Sequence, residues 1–266
     1  MLKWMPIGLL ALMMLPSPAP AQRPATAVNE RVGILRLGHG LRQRVLYVAP
    51  AKPRATLVML PGGTGAVGMR RDGDLRHDNN FVVRTRAAWV ARGYAVLIPD
   101  TIAQANLRGV RSSPAYGRVV VELVAYARTQ TAAPVFLLGT SQGTIAAVNG
   151  AAHAPPGLIA GLILTEAVTV PGRHSTETVF DADPEGVRIP TLVVANRDDT
   201  CNVAPPSMAP RIAAAMTRSP HARVLMVDGG IQRSDKACGS LSPHGYCGIE
   251  EKVGAAIDVW LQAHGR

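Results

Sequence analysis

Short, unbroken apolar runs alternate with longer stretches of helical spacing along most of this chain. Residues 55–60, 94–98, 135–138, 158–164, 191–195 and 223–227 are runs of the first kind. They are apolar at successive positions rather than at alternate ones, and most end at Gly, Pro, Asp or Asn, which predicts strands buried on both faces. Between them, 80–92, 115–128, 144–152, 206–217 and 250–263 predict helices. In 115–128 the residues Val119, Leu123, Tyr126 and Ala127 carry the helical spacing. Two further strand-like runs, 32–37 and 42–49, are split by Gly38-His39-Gly40 and predict an antiparallel hairpin at the start. Continuous apolar strands alternating with helices require a mostly parallel sheet covered on both faces. With no internal repeat or linker, one α/β domain over 28–266 is expected.

The first residues read differently. Lys3 supplies a positive start, 5–15 is apolar apart from Pro6 and Gly8, and Ala19-Pro20-Ala21 fits the small-x-small pattern of signal-peptide cleavage. The apolar part falls short of the roughly 18 residues of a membrane span. The expectation is therefore a signal peptide at 1–21, a leader at 22–27 and export to the periplasm or medium without a stable membrane anchor. A retained N-terminal anchor is the alternative.

Composition narrows the function classes. Hydrophobic residues make up 47% and charged ones 17% of 266 residues, which suits a chain with a sizeable core and not a disordered one. The formal net charge is +10, but the cations are scattered. The densest basic stretch, 70–92, also holds Asp72, Asp74 and Asp78, so no nucleic-acid-binding stripe is expected. The three cysteines, Cys201, Cys238 and Cys247, have no zinc-site spacing. In an oxidising compartment they suggest one disulfide and one free thiol. No metal cluster or cofactor motif is seen.

The candidate chemistry sits at strand ends. Gly139-Thr140-Ser141-Gln142-Gly143 matches the G-x-S-x-G turn, preceded by an apolar strand and followed by a helix of small residues. In such a turn Ser141 stands at the tip and the amide of Gln142 starts the helix, where it can stabilise an oxyanion. The bland alternative is a Gly-Ser turn between strand and helix. A serine hydroxyl needs a base. Of seven histidines, His244 lies in the loop between the last strand and the last helix, whereas His264 lies at the end of that helix. The acid belongs after the preceding strand, where Asp198 and Asp199 are adjacent. Alignment on a strand-turn-Asp pattern favours Asp199 and leaves Asp198 open by one residue of register. The loop Pro61-Gly62-Gly63-Thr64-Gly65 offers a second oxyanion donor, Gly63 first and Thr64 second.

Taken together, Leu60-Pro61-Gly62-Gly63, the Ser141 pentapeptide, Asp198-Asp199 and His244-Gly245 resemble the α/β-hydrolase superfamily, in its small, lidless, dienelactone-hydrolase-like and esterase-like form. Pro61 stands where that family often has His. The 26 residues between the strands ending at Leu164 and starting at Thr191 are too few for a full cap, which directs attention to loops 66–80 and 169–183. The resemblance implies an exported serine hydrolase acting on a small-molecule ester or thioester. Ser141, Asp199 and His244 would be catalytic, Gln142 and Gly63 would form the oxyanion hole, and no cofactor would be needed. Peptidase activity and a catalytically inactive binding protein are the alternatives, and the oligomeric state is left open. If the Asp199 and His244 loops meet, Cys201 and Cys238 are brought together as a disulfide, with Cys201–Cys247 as the rival pairing.

Overall fold

A computed structural model describes Met1 and residues 30–70, 72–174 and 176–265. The expected signal peptide, beyond Met1, and the leader lie outside the described residues. Eight strands form one sheet: β1 (Arg31–Arg36), β2 (Arg42–Val48), β3 (Thr56–Leu60), β4 (Ala95–Pro99), β5 (Val135–Thr140), β6 (Gly161–Thr165), β7 (Thr191–Asn196) and β8 (Ala222–Val227). Their spatial order is β1-β2-β4-β3-β5-β6-β7-β8. The pairs β1–β2 and β2–β4 are antiparallel and the remaining pairs are parallel. The mostly parallel sheet with an N-terminal antiparallel hairpin is thus the one the apolar pattern predicts.

The period of two along each strand divides the core into two layers. On one face, Val58, Leu60, Leu137 and Leu162 pack with Val120 and Leu123 of α3 (Pro114–Gln130), Ile145 of α4 (Gly143–His153) and Ile212 of α5 (Ala209–Ala215). On the other, Leu57, Met59, Phe136 and Leu138 pack with Phe81 of α1 (Phe81–Arg84), Trp89 of α2 (Arg86–Ala91) and Ile257 and Trp260 of α6 (Glu250–His264). Strands β3 to β7 are buried at every position, whereas β1 and β8 show the mixed burial of sheet edges. Burying each large aliphatic side chain contributes about 1.5–3 kcal/mol, so hydrophobic stabilisation is concentrated in the doubly covered middle of the sheet.

Two predicted helices end differently from their sequence pattern. The run 80–92 breaks at Thr85, whose hydroxyl donates to Phe81 O at 2.7 Å and competes with the regular ladder. The run 206–217 becomes a single 3-10 turn followed by α5, with Pro210 in the first turn. Proline lacks an amide hydrogen and fits there and not in a helix interior.

Buried carboxylates tie loops to this frame. Asp100, directly after β4, accepts hydrogen bonds from the amides of Val67, Met69 and Thr101. Glu177 accepts from the amides of Gly109, Arg111 and Ser112. Loops 66–70 and 109–112 are thereby fixed, although they contain no regular structure.

Candidate active site

The strand-to-helix turn after β5 is tight because side chains are missing where backbones cross. A Cβ on Gly143 would stand 2.1 Å from Leu60 O, and one on Gly139 would stand 2.5 Å from Gly143 O. The start of α4 therefore lies directly on the end of β3. Ser141 holds φ at 51°, a left-handed conformation that costs a non-glycine residue about 1–3 kcal/mol. Its amide donates to Thr165 O at 2.9 Å, and Thr144 Oγ1 donates to its carbonyl at 2.5 Å. The strained tip is thus held from β6 and from its own helix.

His244 lies in a 3-10 turn, Pro243–Gly245, whose N-cap Ser242 accepts the His244 amide at 3.2 Å. Arg84 anchors that turn. It donates to Gly245 O through Nη2 and pairs with Glu250 at 2.9 Å. Asp199 follows β7. Its Oδ1 accepts the Cys201 amide at 2.7 Å, which fixes the plane of the carboxyl group. Asn196, the last residue of β7, donates from Nδ2 to Gly229 O at 2.8 Å and to Pro243 O at 3.0 Å. One amide side chain therefore joins the aspartate loop to the histidine loop.

These elements bring three distant side chains into a line. His244 Nε2 lies 2.9 Å from Ser141 Oγ, and His244 Nδ1 lies 2.7 Å from Asp199 Oδ2. The side chains of His244 and Asp199 are 4% and 0% exposed, so their hydrogen bond is shielded from water. Asp198 points elsewhere: it is exposed and accepts the Gly229 amide at 2.7 Å. His264 is remote from this line. It stacks on Trp260 with ring centroids 4.3 Å apart.

Cys201 and Cys238 form a disulfide with a Cα–Cα distance of 4.6 Å, while Cys247 is free and buried. The bridge links the Asp199 loop to the loop preceding His244. Asp199, Cys201 and His244 present ligand-type atoms within 4.8 Å of one another. This trio does not fit a metal, because the Cys201 sulfur is engaged in the disulfide and Asp199 already faces the imidazole.

Ser141 opens into a cavity of about 370 Å³. Gly63, with φ of 60°, and Gln142, which caps the start of α4, both line it. Arg108, Arg173, His174 and Lys236 also face it. Of the two loops expected to shape substrate access, 169–183 contributes Arg173 and His174. Among the described residues, 66–80 contributes nothing to the lining and is instead clasped by Asp100.

Sequence reasoning missed Asn196 as a bridge and Glu166 altogether. Glu166 directly follows β6, is 1% exposed, and accepts the Asn196 amide on Oε1 at 2.9 Å. Burial, then the neighbouring Asp199 charge, pushes its carboxyl well above the ordinary value of 4.5. Tyr246 is also raised by burial and by Glu166, and it donates to Val194 O at 3.0 Å. A carboxyl placed immediately after an apolar strand was the signal available for Glu166.

The strand order, the two helical layers and the strained serine turn define an α/β-hydrolase fold. Similar solved structures include a Pyrococcus furiosus esterase (TM-score 0.64, 11% identity, covering 94% of this chain and 97% of that one). A lidless α/β serine hydrolase from Xanthomonas campestris gives 0.60 at 14% identity, covering 91% and 97%. A dienelactone hydrolase from Anabaena variabilis gives 0.59 at 16% identity, covering 90% and 99%. No protein-family model and no curated protein matches the chain.

Proposed function

We propose that this protein is an exported serine hydrolase that cleaves a small-molecule ester or thioester through an acyl-enzyme on Ser141. The observation that carries this reading is the hydrogen-bonded line Ser141–His244–Asp199, set on a strained turn at the mouth of a cavity. In the first half-reaction Ser141 Oγ attacks the carbonyl carbon while His244 Nε2 takes its proton. Asp199 holds the Nδ1–H tautomer and stabilises the imidazolium. The amides of Gln142 and Gly63 receive the oxyanion. Collapse of the tetrahedral intermediate expels the alcohol or thiol, protonated by His244. Water, activated by the same imidazole, then attacks the acyl-enzyme, releasing the acid and restoring Ser141.

Export is supported by the N-terminal pattern and by the Cys201–Cys238 disulfide, which suits an oxidising compartment. No helix among the described residues is long and apolar enough to cross a membrane. Labelling with a fluorophosphonate, followed by mapping of the adduct, tests the assignment. An adduct on Ser141 is expected. A folded protein that stays unlabelled would instead be a binding protein on the same fold. Matched esters, thioesters and peptides then separate esterase and thioesterase from peptidase, with ester or thioester turnover expected to dominate.

A further inference from the structure

Beside Asp199 lies a carboxyl group that the cycle above does not use. Glu166 keeps φ at 48°, a conformation unfavourable for a glutamate, and its amide donates to Val194 O at 3.1 Å. Its Oε1 is occupied by the Asn196 amide, whereas Oε2 is buried and meets no conventional donor. The side chains that act on this carboxyl are Asp199 and Tyr246. Tyr246 has one hydroxyl proton, and the hydrogen bond to Val194 O uses it. The remaining side chain that acts on it is Asp199, a second carboxyl group, which interacts with it both by charge and by hydrogen bond, and two buried carboxyls that interact so closely do not both ionise.

The distribution of donors decides which one keeps the proton. Asp199 receives the Cys201 amide on Oδ1 and faces His244 Nδ1 with Oδ2. Glu166 receives a single backbone amide. The anion is better supported on Asp199, so the proton belongs on Glu166 Oε2, directed at the stronger, ionised acceptor. We propose that Glu166 is a positioning residue of the hydrolytic site: as a neutral acid it donates a hydrogen bond to Asp199 and fixes the carboxylate that orients His244. This rests on the hydrolase reading. Desolvation, the Asp199 charge and the Asp199 hydrogen bond favour the neutral form of Glu166, against smaller opposing contributions from Tyr246 and the Asn196 amide. The imidazole then faces one net negative charge, with a second carboxyl bracing it.

The test compares Glu166→Gln and Glu166→Leu in the full-length protein. Glutamine reproduces both interactions, since its oxygen accepts the Asn196 amide and its nitrogen donates to Asp199. We expect Glu166→Gln to keep kcat within about threefold and to leave the acid limb of the kcat/KM profile, set by the imidazole, in place. Glu166→Leu is expected to lower kcat by about 10- to 100-fold at nearly constant KM, through misplacement of the imidazole. An infrared difference spectrum of wild type against Glu166→Gln at neutral pH should show the carbonyl stretch of a protonated carboxylic acid in the wild type. A missing band, a folded Glu166→Leu protein with wild-type kcat, or a Glu166→Gln protein with its acid limb displaced to lower pH would overturn the proposal. Should Glu166→Leu fail to fold, the band and the Glu166→Gln profile decide. Wild type that is neither labelled at Ser141 nor active would instead remove the hydrolase reading, and the infrared band would still report the protonation state of Glu166.

Discussion

The two halves of the candidate site are built in opposite ways. The Ser141 half is local: one strand, one turn and one helix within 135–153, with glycines at 139 and 143 that let the backbones touch. The acid–base half is assembled from a distance. Asp199 follows β7 and His244 sits in a turn before α6; Asn196 and a disulfide join the two loops, Arg84 holds the histidine turn and Glu166 holds the Asn196 amide. Backbone geometry fixes the first, and side-chain bonds across many residues fix the second. The first is therefore sensitive to added volume, and the second to the loss of particular polar atoms.

The largest effect should come from Ser141→Ala, which leaves the fold intact and lowers kcat on an activated ester by about 10⁶-fold. A folded variant retaining most of its rate would take Ser141 out of the nucleophile role. Within the distant half, Asp199→Asn should reduce kcat by about 10⁴-fold, because the wrong imidazole tautomer is held. Asp198→Asn, at an exposed turn position, should cost less than about tenfold. The reverse ranking in steady-state kinetics would assign the role to the neighbouring aspartate.

Smaller effects concern stability. Replacing both Cys201 and Cys238 by Ser should lower unfolding free energy by about 4 kcal/mol in the chain-entropy view, measured by urea denaturation. The site would loosen before the sheet does. Gly143→Ala should cost about 3 kcal/mol from overpacking against Leu60 O, with loss of phosphonylation at Ser141 in the folded fraction. Both variants as stable as wild type would erase the contrast between the halves.

The smallest effect is a slope. The folded-state pKa of Glu166 is raised, so between its ordinary value of 4.5 and the higher folded value the native state holds a proton that the unfolded chain has released. Its contribution is thus favourable below that ordinary value and is lost as pH rises through the window, by about 1.4 kcal/mol per pH unit. Glu166→Gln should remove this term. Parallel stability–pH curves for the two proteins above pH 5 would show that Glu166 titrates normally.

What could be read from the sequence follows the same division. The sheet, its two helical layers and the serine turn depend on contiguous patterns, and these were legible. Asp199 was reachable by counting from the end of β7, and the structure places it, not Asp198, against His244. The break at Thr85 was not legible, since a threonine inside an apolar helical run gives no warning that its hydroxyl will bond four residues back. Glu166 and Asn196 act across separations of 30 to 47 residues, and periodicity carries no information about such pairs.

The cavity lining has a further consequence for how such a protein changes over time. Arg173, His174, Asn202 and Lys236 line the cavity, yet all four are exposed and none belongs to either apolar layer. Substitutions at such positions usually alter stability by less than about 0.5 kcal/mol. The charge and shape of the cavity wall can therefore be changed at little cost in folding stability, whereas the buried bonds that align Ser141, His244 and Asp199 cannot.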